Sequence, residues 1–110
     1  MTDSELPLRL RRLPRAEACS RRVPVAVTLP SRLLGLALLR PGRAGAGLLI
    51  PRCRSVHTFG MRFALRVVFL DGAMAPVSVR EPVGPRRIVR EPRAAAVLEL
   101  PAAAGAGARR

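Results

Sequence analysis

The segment from Cys53 to Phe63, CRSVHTFGMRF, brings together side chains that could take part in chemistry. Cys53 could act as a nucleophile, and His57, the only histidine, could be the base that activates it. The same segment carries hydroxyl groups and arginines, which are typical of a site that binds an anion. Two kinds of function therefore compete for this segment: catalysis through a thiol, and binding.

The alternation of side chains along a strand favours binding. If residues 53–59 form a strand, the odd-numbered side chains, including Cys53 and His57, share one face, and the even-numbered ones share the other. Residues two apart on one face are separated by ~7 Å, so the thiol and the imidazole lie about 14 Å apart. A cysteine nucleophile needs its base within about 3 Å. We therefore assign no catalytic residue and expect Cys53 to pack as a small buried side chain, with His57 at the rim.

Cys53 and His57 remain the candidates for an alternative function, a cysteine-dependent hydrolase or transferase. A metal site is not expected, because zinc takes three or four nitrogen or sulfur ligands and one histidine with two distant cysteines supplies at most three. We expect no cofactor.

The main hypothesis is a binding or interaction module for a small anionic ligand or a protein partner. Guanidinium groups bind carboxylate or phosphate through two parallel hydrogen bonds, and a bend at Gly60 would bring polar groups together beside Phe59. The expected ligand-binding residues are His57, Thr58, Arg54, Arg62 and Arg66. The competing interpretation is that these arginines form a solvated face of a sheet.

The charge of the chain raises a second alternative, nonspecific binding of nucleic acid through arginines. The 110 residues carry a formal net charge of +13, with twenty arginines and no lysine. Such a balance is typical of proteins that bind phosphates. However, the arginines are spread from Arg9 to Arg110 rather than gathered on one face, and the Ala, Gly, Arg and Pro content is also that of GC-rich codons.

We expect a cytoplasmic protein. The basic start of the chain lacks an uninterrupted apolar run before a cleavage site, and the apolar stretch from Leu29 to Leu39 is too short to cross a bilayer. Only two cysteines, Cys19 and Cys53, are present, and we expect both to remain reduced.

The pattern of apolar residues predicts one β domain over residues 23–102, between an Arg- and Pro-rich arm (1–22) and a low-complexity tail (103–110). Period-two alternation and the Asp71-Gly72 turn predict short strands, and the run after Ser31 predicts one short helix that ends at Pro41. The expected fold is mainly β, a small antiparallel β sandwich or partly closed barrel with one short helix. The expected strands cover residues 23–29, 48–50, 53–59, 61–70, 75–81, 88–89 and 96–100.

An ordered series of motifs resembles the family called domain of unknown function 192. The resemblance covers residues 23–102 and implies a small, mainly β, sandwich-like domain without an established activity. The motifs are Arg-Leu-Leu-Gly-Leu (32–36), Gly-Leu-Leu (47–49), Phe-Gly-Met (59–61), Val-Val-Phe-Leu-Asp (67–71) and Val-Leu-Glu-Leu-Pro (97–101). Two features depart from the family: Arg66 stands where the family usually has aspartate, and the chain ends without the family's closing strand.

Overall fold

The computed structural model describes residues 13–27 and 47–102. These residues contain eight strands and no helix, and the strands do not close into a barrel, so the expected mainly β, sandwich-like class is confirmed. The helix expected after Ser31 lies outside the described residues. The strands are β1 (Arg15–Ala18), β2 (Arg21–Pro24), β3 (Leu48–Pro51), β4 (Ser55–His57), β5 (Leu65–Leu70), β6 (Pro76–Val83), β7 (Ile88–Arg90) and β8 (Ala96–Pro101).

A four-stranded antiparallel sheet, in the order β3-β8-β5-β6, forms the centre of the described structure. Its two inner strands, β8 and β5, carry buried apolar side chains on both faces, and Arg66 and Glu99 are the charged exceptions. Residues that pair across neighbouring strands point to the same face. The pairing aligns Leu49, Leu98 and Val68 on one face and Ile50, Val97 and Phe69 on the other.

Each face of this sheet is covered by a two-stranded sheet. Val56 and Val89 of the β4–β7 pair belong to the first core cluster, which contains Phe69. Ala18 and Val23 of the β1–β2 pair belong to the second core cluster. The core therefore has two parts, one on either side of the central sheet.

The β5–β6 hairpin turns at Asp71, as the Asp-Gly signal predicted. One carboxylate oxygen of Asp71 accepts hydrogen bonds from the backbone N–H groups of Ala73 (2.8 Å) and Ala75 (3.0 Å). An aspartate that caps its own turn in this way fixes the register of the two strands that the turn connects.

The β1–β2 hairpin lies partly within the segment expected to be an arm. The expected domain start, Val23, falls inside β2, and Ala18 pairs with Arg21 across a two-residue turn. Both turn residues, Cys19 (φ 50°) and Ser20 (φ 64°), have positive φ. Two successive positive φ values are those of the type I′ turn, whose twist matches that of the paired strands.

The strand expected at residues 23–29 is shorter than predicted. β2 ends at Pro24, after which Val25 bridges to Leu49 and Ala26 donates a hydrogen bond to the Leu49 carbonyl (2.8 Å). The period-two spacing of Val23, Val25 and Val27 predicts that all three are buried on one face of a strand. Instead, Ala26 is buried and Val27 is 56% exposed, so the expected burial of Val27 is wrong. The chain leaves the hairpin here to run beside β3, and the buried side changes with it.

We predict that Gly47→Ala lowers the free energy of unfolding by about 3 kcal/mol. Gly47 has φ 114°, and a Cβ atom there would collide with the Leu100 side chain and the Glu99 carbonyl. Gly72→Ala is the matched control, because a Cβ at Gly72 meets nothing within 4 Å. Urea unfolding of both variants measures the difference, and equal stabilities would contradict this account of β3.

Candidate functional site

Within the segment at residues 53–59, only Ser55–His57 is a strand. Ser55 and His57 are exposed and Val56 and Thr58 are buried, so the predicted alternation is confirmed for these four residues. Cys53 is half-buried and packs against the first core cluster, so it does not share the outward face of His57. The chain turns sharply before it, because Arg52 has a left-handed backbone conformation (φ 49°).

The thiol and the imidazole have different hydrogen-bond partners. The Cys53 thiol donates to the Ser55 carbonyl (3.2 Å), and Nδ1 of His57 accepts from the Phe59 N–H (3.2 Å). In a neutral imidazole this arrangement places the proton on Nε2.

Thr58 anchors the turn that follows β4. Its side chain is fully buried, and its hydroxyl donates to the Gly84 carbonyl (2.7 Å) and accepts from the Arg87 N–H (2.8 Å). Its backbone N–H donates to the Arg87 carbonyl (2.9 Å). We therefore revise its expected role: Thr58 holds the loop at residues 84–87 in place and does not face solvent, as a ligand contact would.

The arginines expected at the site lie in different places. Arg54 lines an open cleft of about 480 Å³, together with Arg52, Cys53, Ala94 and Ala95. Arg62 is exposed in the connection between β4 and β5. Arg66, in β5, is half-buried and its Nε lies 3.8 Å from a carboxylate oxygen of Glu81. Of the five expected ligand-binding residues, only Arg54 lines this cleft.

Three hydrogen bonds hold the two walls of this cleft together. The Cys53 N–H donates to the Ala95 carbonyl (3.3 Å), and Arg54 Nε donates to the Ala94 carbonyl (3.2 Å). The Glu91 N–H donates to the Arg54 carbonyl (2.9 Å). These bonds hold the cleft in shape, and a cleft whose walls are already tied together costs less to order around a ligand.

Glu91 supports the wall that carries Ala94 and was not singled out from the sequence. Its carboxylate accepts two hydrogen bonds from the Arg93 guanidinium (2.9 and 3.1 Å) and one from the Arg93 N–H (3.2 Å). Arg80 lies 3.8 Å away and links this loop to β6. The hydrogen bonds from Arg93 lower the pKa of Glu91 to about 2.

Other site types find no support in residues 13–27 and 47–102. No group of three or more His, Cys, Asp and Glu side chains in these ranges could hold a metal ion. The same ranges hold no helix with the length and apolar character needed to span a membrane. Neither Cys19 nor Cys53 forms a disulfide.

We predict that Thr58→Val lowers the free energy of unfolding by about 3 kcal/mol, because the buried Arg87 N–H and Gly84 carbonyl lose their hydroxyl partner. Thr58→Ser keeps the hydroxyl and loses one buried methyl group, which costs about 1 kcal/mol. Urea unfolding of both variants distinguishes the two losses. Equal destabilisation would show that the methyl group, not the hydroxyl, stabilises the turn.

We predict that the stability of the protein falls as the pH drops from 4.5 to 2, because the pKa of Glu91 is lowered from 4.5 to about 2 on folding. A lowered carboxyl pKa stabilises the fold above the unfolded-state value and loses that effect as the pH falls toward the folded-state value. Glu91→Gln should be less stable at neutral pH and lack this part of the acid dependence.

Thermal unfolding of the Glu91→Gln variant between pH 2 and 7 measures this effect. The control is Glu17→Gln, which removes an exposed carboxylate from the β1–β2 hairpin. If the melting temperature of Glu91→Gln followed that of the wild-type protein in parallel over the whole range, the assigned role of Glu91 would be incorrect.

The chain matches one family of known proteins. Residues 13–108 match the family DUF192, described as "Uncharacterized ACR". The match includes all eight strands, from Arg15 to Pro101. Searches of curated proteins and of solved structures gave no significant match. Because the family match covers most of the sequence, the chain belongs to the DUF192 family of uncharacterized proteins.

Proposed function

We propose that the domain is a binding module that takes a small anionic ligand in the cleft between residues 52–54 and 94–95. The observation that carries the proposal is the presence of two arginines, Arg52 and Arg54, beside a cavity of about 480 Å³. This volume falls in the range of small-molecule sites. Guanidinium groups at its wall favour a carboxylate or phosphate ligand.

The hydrogen bond from Arg54 leaves it able to bind an anion. Its Nε donates to the Ala94 carbonyl, and among the described residues this is the only partner of its guanidinium. The two terminal nitrogens are then held in a fixed orientation beside the cavity. Glu91, the nearby carboxylate, is paired with Arg93 and does not compete for Arg54.

A second cleft of about 520 Å³ is a weaker candidate for an anion. It is lined by Pro82, Val83, Gly84, Pro85, Arg87 and Val89, so a single charged side chain contributes to it. The alternative of a cysteine-dependent hydrolase or transferase has less support, because Cys53 packs against the first core cluster whereas His57 lies on the exposed side of β4. A protein partner with a carboxylate group at its contact would use the same two arginines.

We predict that citrate or pyrophosphate binds this cleft and that Arg54→Ala weakens binding at least about tenfold, because a hydrogen bond to a charged group is lost. Arg54→Lys keeps the charge and loses the planar fork, so its affinity should be intermediate. Arg21→Ala removes an exposed arginine from the β1–β2 hairpin and should bind like the wild-type protein. Isothermal titration calorimetry measures the affinities.

The two cysteines provide an independent test of where the anion binds. Cys53 lines the cleft, whereas Cys19 is exposed in the β1–β2 turn. At ten times its dissociation constant, the ligand should slow iodoacetamide labelling of Cys53 by about tenfold and leave that of Cys19 unchanged. Failure of both anions to bind, or equal protection of the two cysteines, would overturn the proposal. Much faster labelling of Cys53 than of Cys19 without ligand would favour the reactive thiol instead.

A further inference from the structure

The β4–β7 sheet has an outward face that combines rings and arginines. Val56 and Val89 point inward to the first core cluster, so their strand neighbours point outward. The register places His57 opposite Ile88, which is 64% exposed. We define the outer face by its exposed residues His57, Phe59, Arg86, Ile88 and Arg90.

Two rings on this face form a fixed platform. The ring centroids of His57 and Phe59 lie 5.7 Å apart with an interplanar angle of 38°, and Phe59 is 51% exposed. The hydrogen bond from the Phe59 N–H to His57 Nδ1 links the two residues, and the buried Thr58 between them fixes the backbone. The chain has only three phenylalanines, one histidine and no tyrosine or tryptophan. Each exposed ring therefore gives up apolar surface that could have been buried in the core.

The charges around the platform are positive. Arg90 follows Ile88 at the next outward position of β7. The backbone N–H of Arg86 donates to the Thr58 carbonyl (3.3 Å), which holds Arg86 beside the turn that carries His57 and Phe59. The nearest acidic residue in sequence, Glu91, is buried and paired with Arg93. Two of the arginines, Arg86 and Arg90, thus lie with the two rings on one face of the β4–β7 sheet.

We propose that the outer face binds single-stranded nucleic acid, with bases stacked on His57 and Phe59 and phosphates held by Arg86 and Arg90. This pairing of stacking rings with flanking positive charge is how proteins bind single strands without reading their sequence. An acidic peptide would satisfy the arginines but offer no planar groups to the rings. The site is separate from the cleft at Arg54, and the proposal does not depend on ligand binding there.

Fluorescence anisotropy with labelled single strands of fifteen thymidines or fifteen uridines tests the proposal on the full chain. The comparison of the two probes shows whether the face prefers DNA or RNA. Phe59→Leu keeps an apolar side chain and removes the ring, and should weaken binding by about tenfold with an unchanged salt slope. Arg86→Asn/Arg90→Gln should weaken binding and make the salt slope shallower by about 1.4, since each phosphate contact on a single strand contributes about 0.7. Asparagine suits the positive φ of Arg86 (62°).

The matched control is Arg21→Gln/Arg22→Gln, which removes the same charge from exposed positions of the β1–β2 hairpin and should bind almost as the wild-type protein does. Three results would overturn the proposal. The first is no binding of either strand by the wild-type protein at low salt. The second is equal weakening by the two double variants, which would mean diffuse attraction to the whole +13 chain. The third is a fifteen-residue polyglutamate that competes as well as the oligonucleotides, which would point to an acidic protein partner.

Discussion

The burial of β8 between β3 and β5 is the constraint on which the described structure depends. Residues 96–100 are all buried, and apart from Glu99 this strand presents apolar side chains to both sides of the central sheet. A sheet that is apolar on both faces must be covered twice. The β1–β2 hairpin covers one face and the β4–β7 pair covers the other. The position of the β4–β7 pair in turn determines where the cleft at Arg54 and the outer face at His57 lie.

Much of this architecture could be predicted from the sequence, because the signals are local. Alternation in β5 and β8 and the Asp71-Gly72 turn gave the centre of the sheet, and the Val-Leu-Glu-Leu-Pro motif agreed with family membership. The β1–β2 hairpin escaped prediction because Cys19 and Ser20 occupy a type I′ turn that usually holds Asn or Gly. The exposure of Val27 escaped because a strand that changes partners also changes its buried side, and no pattern in the sequence marks that point.

The candidate site was harder to predict because its geometry depends on contacts between distant parts of the chain. The thiol of Cys53 leaves the face of His57 only because Arg52 adopts a positive φ at the end of β3. Thr58 is a polar residue by type, yet its hydroxyl is used by a loop 26 residues away. Glu91 and Arg93 did carry a local signal, since a carboxylate and a guanidinium two residues apart across a proline can pair within one turn.

Among the described strands, β6 lies at the outside of the central sheet, with one long side that no described strand pairs. Such a side is normally a template on which a second molecule can add a strand, and it is a common starting point for fibres. β6 begins with Pro76 and contains Pro82, and neither residue has an N–H group to offer an incoming chain. Arg80 adds a bulky charge between them. In a crowded cell, this strand would resist recruitment into growing aggregates.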